Sequence, residues 1–155
     1  MLTNIHRYFM LFALEEAKKS INHNDIPIGS IICIDDKIIA KSHNMVEKRK
    51  NSNAHAEVLA INKAIKIIGE KYLTEATLYS TLEPCPMCAG AIVLAKIKRL
   101  VFGAYDLKAG ACGSVLNIVN NKDLNHRVEV ISGIMQKESS ELISDFFKKI
   151  RNKNE

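Results

Sequence analysis

The sequence predicts an α/β fold in which helices cover both faces of one sheet. Three observations carry this. Five short β-branched or alternating runs are spread along the chain. Stretches of helical periodicity separate them. No internal repeat or low-complexity segment intervenes. A length of 155 residues suits a single domain over 1–155 with a proper core. Hydrophobic residues at 47% and charged residues at 25% exclude a disordered chain.

Ile5, Tyr8, Phe9, Phe12 and Leu14 to Ala17 recur at helical spacing and predict an amphipathic helix over about residues 4–22. Asp25 to Gly29 reads as a turn. Ser30 to Ile34 and Lys37 to Ser42 are strands joined at Asp35-Asp36 as a hairpin. His43 to Asn53 is a polar loop carrying Lys48, Arg49 and Lys50. Helical period returns from Ala54 to Ile68 and stops at Gly69, a C-terminal cap. Thr77 to Thr81 alternates as a strand, and the small apolar stretch Cys85 to Ala95 predicts a buried helix. Arg99 to Ala104 is a strand and Lys108 to Gly113 a glycine-rich loop. Val128 to Ser132 is the fifth strand, and Glu138 to Arg151 a last helix with a basic end.

The formal charge of +5, from 22 basic and 17 acidic residues, permits a polyanionic partner without demanding one. No apolar run is long enough to span a bilayer. The apolar stretch Tyr8 to Leu14 runs directly into Glu15, Glu16, Lys18 and Lys19, with no small-residue cleavage site, so no secretory signal is expected. A reducing cytoplasm is therefore the expected setting for Cys33, Cys85, Cys88 and Cys112. There a C-x-x-C pair favours metal or redox chemistry over a structural disulfide.

The chemistry concentrates in His55-Ala56-Glu57 and Pro84-Cys85-Pro86-Met87-Cys88. Cys85 and Cys88, three apart at a helix start, share one face and can bind one ion. Pro86 is tolerated in a first helical turn, where the positive end of the helix also favours thiolates. His55 and Glu57, two apart, would diverge in mid-helix. They converge only around a helix entry near Asn53-Ala54, so two helix N-termini are expected to meet at the metal. A redox pair would explain neither His55 nor Glu57. A structural zinc would need a fourth ligand. Cys112 is the better candidate for that; Cys33, in mid-strand, reads as a small core hydrophobe. The catalytic reading makes His55, Cys85 and Cys88 zinc ligands and Glu57 the group that moves protons at the metal-activated water.

The H-x-E…P-C-x-x-C pattern is the known signature of the zinc nucleobase deaminases. The chain resembles the cytidine deaminase-like superfamily and, within it, the bacterial tRNA-specific adenosine deaminase family. The resemblance runs from about Asp25 to Arg151. Its carrying motifs are Asp25-Ile26-Pro27-Ile28-Gly29, Ala54-His55-Ala56-Glu57 and the stretch Thr77 to Ala91. Val101 to Asp106, Lys108 to Ser114, Leu124-Asn125-His126-Arg127 and Ser144 to Arg151 discriminate further, because the zinc motifs alone are shared with cytosine, guanine and cytidine deaminases. The resemblance implies a three-layer α/β/α sandwich on a five-stranded mixed sheet, one zinc per subunit, a homodimer, and conversion of adenosine to inosine at the wobble position of a tRNA anticodon. It carries Asn44 over as a ligand to the base and Ala56 to the same pocket. Asp106 and Lys108 become substrate-loop residues, Asn125 reaches a neighbouring nucleotide, and Phe147 faces RNA. The last helix itself sets Phe146 and Phe147 beside Lys148, Lys149, Arg151 and Lys153, which reads as one Phe in the core and the other, with the cations, toward RNA. Asn51-Ser52-Asn53 departs from the Asp-Pro-Thr-like entry frequent in the family, which touches loop contacts and not the ligands. Two rivals stand beside this reading. One is a free-base or nucleoside deaminase acting on guanine or cytosine. The other is a non-catalytic zinc subunit, against which Glu57 argues.

Overall fold

A computed structural model describes residues 2–154. The chain runs α1 (Leu2–Ile21), β1 (Gly29–Ile34), β2 (Lys37–His43), α2 (Val46–Arg49), α3 (Ala56–Ile68), β3 (Thr77–Leu82), α4 (Pro86–Leu94), β4 (Arg99–Ala104), β5 (Glu129–Ile131) and α5 (Gln136–Lys153). The five strands form one sheet in the order β2-β1-β3-β4-β5. β1 is antiparallel to β2 and β3, whereas β4 is parallel to β3 and β5. The sheet is therefore mixed, as expected.

Adjacent strand residues point to opposite faces, and consecutive apolar pairs supply both layers. Ile32, Leu78, Leu100 and Phe102 pack with Ala60, Ile61 and Ala64 of α3 and Ala89, Ile92 and Val93 of α4. Ile31, Tyr79 and Val101 pack on the other face with Phe9, Met10, Ala13 and Leu14 of α1, and Leu142 of α5 joins that layer. This is the three-layer sandwich. Cys33 lies in the second core, where burial pushes its thiol up to about 12, so it is an inert apolar residue. No helix among the described residues is long and apolar enough to cross a membrane.

Asp35 and Asp36 both adopt positive φ, 50° and 58°, the conformation a tight hairpin turn between right-twisted strands requires. Gly29, at the start of β1, is needed for a different reason. A Cβ there would overlap the Ala13 carbonyl oxygen and crowd the Ala17 backbone nitrogen of α1. Gly29→Ala is expected to cost about 3 kcal/mol, the upper part of the overpacking range, because the obstacle is helix backbone that cannot rotate away. Urea unfolding checks this.

Two local expectations are corrected. The polar stretch 43–53 contains a one-turn helix, α2. It forms because Asp25 reaches across from a distant turn: Oδ1 accepts the Glu47 N–H at 2.7 Å and Oδ2 the Lys48 N–H at 3.1 Å. The fifth strand is shorter than expected, only Glu129–Ile131, the three residues that pair with Arg99, Leu100 and Val101 of β4.

Candidate active site

Strands β2, β3 and β4 end, and β1 begins, at one edge of the sheet. The segments leaving that edge build the site. Beyond β3, Pro84 leads to Cys85, the N-cap residue of α4, with Pro86 in the first turn. Opposite it, His55 is the N-cap residue of α3. Neither side chain caps its own helix. Both turn inward, and Cys88 joins them from the first turn of α4. His55 Nδ1 lies 3.5 Å from Cys85 Sγ and 3.6 Å from Cys88 Sγ. Among the described residues these three form the group able to hold a metal ion. Two helix N-termini meet there, as the spacing requires. Cys112 is not part of the group; its buried thiol points at the Pro84 carbonyl, 3.9 Å away.

The three donors share protons. The hydrogen bond from Cys88 pulls the Cys85 thiol down to about 4, helped by the bond to His55. Cys88, which keeps the proton, is pushed up by that same bond and by burial. His55 is raised by its bond to Cys85 and by the nearby Glu57. A bound cation would displace these protons. Glu57, second residue of α3, is 4% exposed, and burial raises its carboxyl above the usual range against the opposing pull of His55. A carboxyl whose protonated form is favoured by burial can both take and return a proton.

A cleft of about 1050 Å³ opens over this floor. Of the residues expected at the site, Asn44, His55, Ala56, Glu57, Cys85, Asp106, Lys108 and Phe147 line it. Cys88 lies fully buried beneath. Asn44 is pinned by its main chain, donating its N–H to the Ile28 carbonyl (2.9 Å) and accepting from the Ser20 hydroxyl (2.9 Å). Its Nδ2 donates to the Ile26 carbonyl, while Oδ1 is buried with no partner. Asp106 Oδ1 is occupied, accepting the N–H groups of Lys108 and Ala109 at 3.0 and 3.1 Å. Asp106 thus shapes its own loop. The two phenylalanines divide as expected: Phe146 is buried at 7% exposure and Phe147 is 42% exposed. Asn125 and Arg151 are exposed and do not line the cleft.

Reading the sequence missed most of the upper wall. Ser140, Ile143, Ser144 and Ile150 of α5 line the cleft together with Tyr105 and Leu107. Their spacing with Phe147 is helical and could have marked one face, but nothing local says that this face meets a cleft. Glu83, within the stretch Thr77 to Ala91, also lines the cleft, and nothing in its local sequence marks it for the site.

A buried carboxylate beside a His-Cys-Cys donor set, at the end of such a sandwich, defines a hydrolytic deaminase of the cytidine deaminase-like fold. Comparison with known proteins narrows that class. The MafB19-like deaminase family matches residues 3–151. The tRNA-specific adenosine deaminase of Bacillus subtilis is 45% identical over 145 residues, covering 94% of this chain and 90% of the relative. That of Aquifex aeolicus is 47% identical over 145 residues, covering 94% and 95%. A solved structure from a study of A-to-I editing by tRNA:A34 deaminases at the wobble position of transfer RNA matches with a TM-score of 0.84 at 39% identity, over 87% of this chain and 98% of that one. The chain belongs to the MafB19-like deaminases and, among them, to the tRNA-specific adenosine deaminase family.

Proposed function

We propose that this enzyme converts adenosine to inosine at the wobble position of a tRNA anticodon, consuming water and releasing ammonia. One observation carries the chemistry: three metal donors and the buried Glu57 share the floor of a cleft wide enough for an extruded nucleotide. The donors suit zinc. Tetrahedral bonds of about 2.3 Å to sulfur and 2.0–2.1 Å to nitrogen imply a sulfur–nitrogen separation of about 3.6 Å, against 3.5 and 3.6 Å here. Three protein donors, with Cys112 outside the set, are also the number used by catalytic rather than structural sites. Zinc held there, one per subunit, would acidify water enough to attack the carbon bearing the amine at neutral pH.

Glu57 takes one proton from water and delivers it to the ring nitrogen, where the product keeps it; it then moves the second water proton from the new hydroxyl to the amine, which leaves as ammonia as the C–N bond breaks and the C=O forms. Asn44, in the lining of the cleft, reads the hydrogen-bonding edge of the base. Ala56, fully buried, keeps the floor flat. The nucleotide must be turned out of its loop to reach Glu57. Phe147 then offers a face for stacking a flanking base, and Lys108 and Arg151, with Lys148, Lys149 and Lys153, supply cations for phosphate. Asn125, outside the cleft lining, serves a neighbouring nucleotide. The chain acts as one domain, as a homodimer in the cytoplasm.

Free adenosine, guanine, cytosine and an anticodon stem-loop, assayed side by side for ammonia, test this reading. Turnover is expected with the stem-loop. Preferential turnover of a free base would overturn it in favour of a free-base deaminase. With about three phosphate contacts, stem-loop affinity should also fall by about 30-fold between roughly 50 and 200 mM salt. Fluorescence anisotropy at several salt concentrations measures that slope.

A further inference from the structure

Glu83 is a buried carboxylate that this chemistry leaves unused. It is 2% exposed, follows the last residue of β3, and stands two positions before the donor Cys85. Its Oε1 accepts the Asp106 N–H at 3.2 Å and the Ser114 hydroxyl. Its Oε2 accepts the N–H groups of Cys112 and Ser114 at 3.1 and 3.0 Å. Main-chain bonds run alongside. Glu83 N–H donates to the Ala104 carbonyl at 2.8 Å, and Ala111 N–H to the Pro84 carbonyl at 2.9 Å. Both ends of the segment 105–114 are therefore attached to the short turn that carries Cys85. Gly110 belongs to the same device, since a Cβ there would overlap the Glu83 carboxyl group. Glycine lets the loop close over the acid.

The outer part of that loop, Tyr105 to Ala109, is one wall of the cleft. Its attachment is not interchangeable with ordinary packing. A buried carboxylate without its donors is strongly disfavoured, so the loop has one position that satisfies it. We propose that Glu83 is a positioning residue which holds the loop carrying Asp106 and Lys108 in register with the Cys85 turn, so that substrate contacts and metal donors move as one unit. The effect on substrate rests on the proposed function; the effect on the loop does not.

Glu83→Gln tests it. The amide nitrogen that replaces one acceptor oxygen only donates, so at least one loop donor loses its partner. Amide exchange at Asp106, Cys112 and Ser114 should accelerate by about tenfold while α3 stays protected. Metal content should remain that of the parent protein. KM for the anticodon stem-loop should rise by about tenfold, with kcat changed by less than about threefold. Ser114→Ala removes a single hydroxyl donor and should shift exchange and KM the same way by about threefold. It decides the matter if Glu83→Gln does not fold. Unchanged exchange at the three amides, or an activity loss that follows metal loss with KM unaltered, overturns the proposal. If the parent protein ignores the stem-loop, the functional reading fails, and the exchange measurement still decides the role of Glu83.

Discussion

A Glu57→Ala protein should keep its metal at parental stoichiometry and lose deamination by on the order of 10⁴-fold, the upper range for a positioned acid–base group. The loss should be this large because nothing in the cleft can substitute. Four other acids line it, and three are committed. Asp25 holds α2 through the Glu47 and Lys48 N–H groups. Glu83 holds the 105–114 loop. Asp106 shapes its own turn. The fourth, Glu47, has an exposed side chain near Lys50, 3.9 Å away, at the rim. Metal binding should survive because the donors are His55, Cys85 and Cys88. Glu57→Gln is the companion variant. It keeps the shape of the side chain, so an equal loss assigns the effect to proton transfer rather than to packing. Ammonia release per bound metal ion is the measurement. A near-parental kcat in either variant would remove Glu57 from the mechanism.

Cys88→Ser should abolish both metal retention and activity while leaving the sandwich folded. Cys88 is fully buried, so no external ligand can reach in to replace its sulfur. The fold does not depend on the ion, because two apolar cores close the two faces of the sheet independently of it. Far-ultraviolet dichroism should therefore match the parent, but the melting temperature should be lower. The lost stabilisation corresponds to about 2.7 kcal/mol when free metal is a hundred times its dissociation constant. Exhaustive chelation of the parent protein should reproduce both effects, and added zinc should reverse them. Global unfolding on chelation would instead make the metal structural.

The reading from sequence and the folded molecule part company at identifiable residues. The strand pattern was visible because β-branched runs declare themselves locally, and the hairpin at Asp35-Asp36 followed from two residues that tolerate positive φ. The spacing of His55 and Glu57 demanded a helix entry, and His55 is the N-cap residue. α2 was illegible because its stabilising carboxylate, Asp25, lies outside the segment it organises. Cys112 is decided the same way: its sequence leaves a fourth ligand open, and only its burial beside Pro84 removes it from the donor set.

The sequence by itself determined the donor types, the acid–base residue and the alternation of elements, because ligand chemistry and backbone periodicity are properties of residues and their near neighbours. Tertiary structure alone decided that α5 forms the upper wall of the cleft, that Asn44 keeps a buried oxygen free, and that Glu83 joins the loop to the metal turn. Each of these depends on groups far apart in the chain. Their energies come from burial and from donors that find acceptors only once the sheet has brought them together.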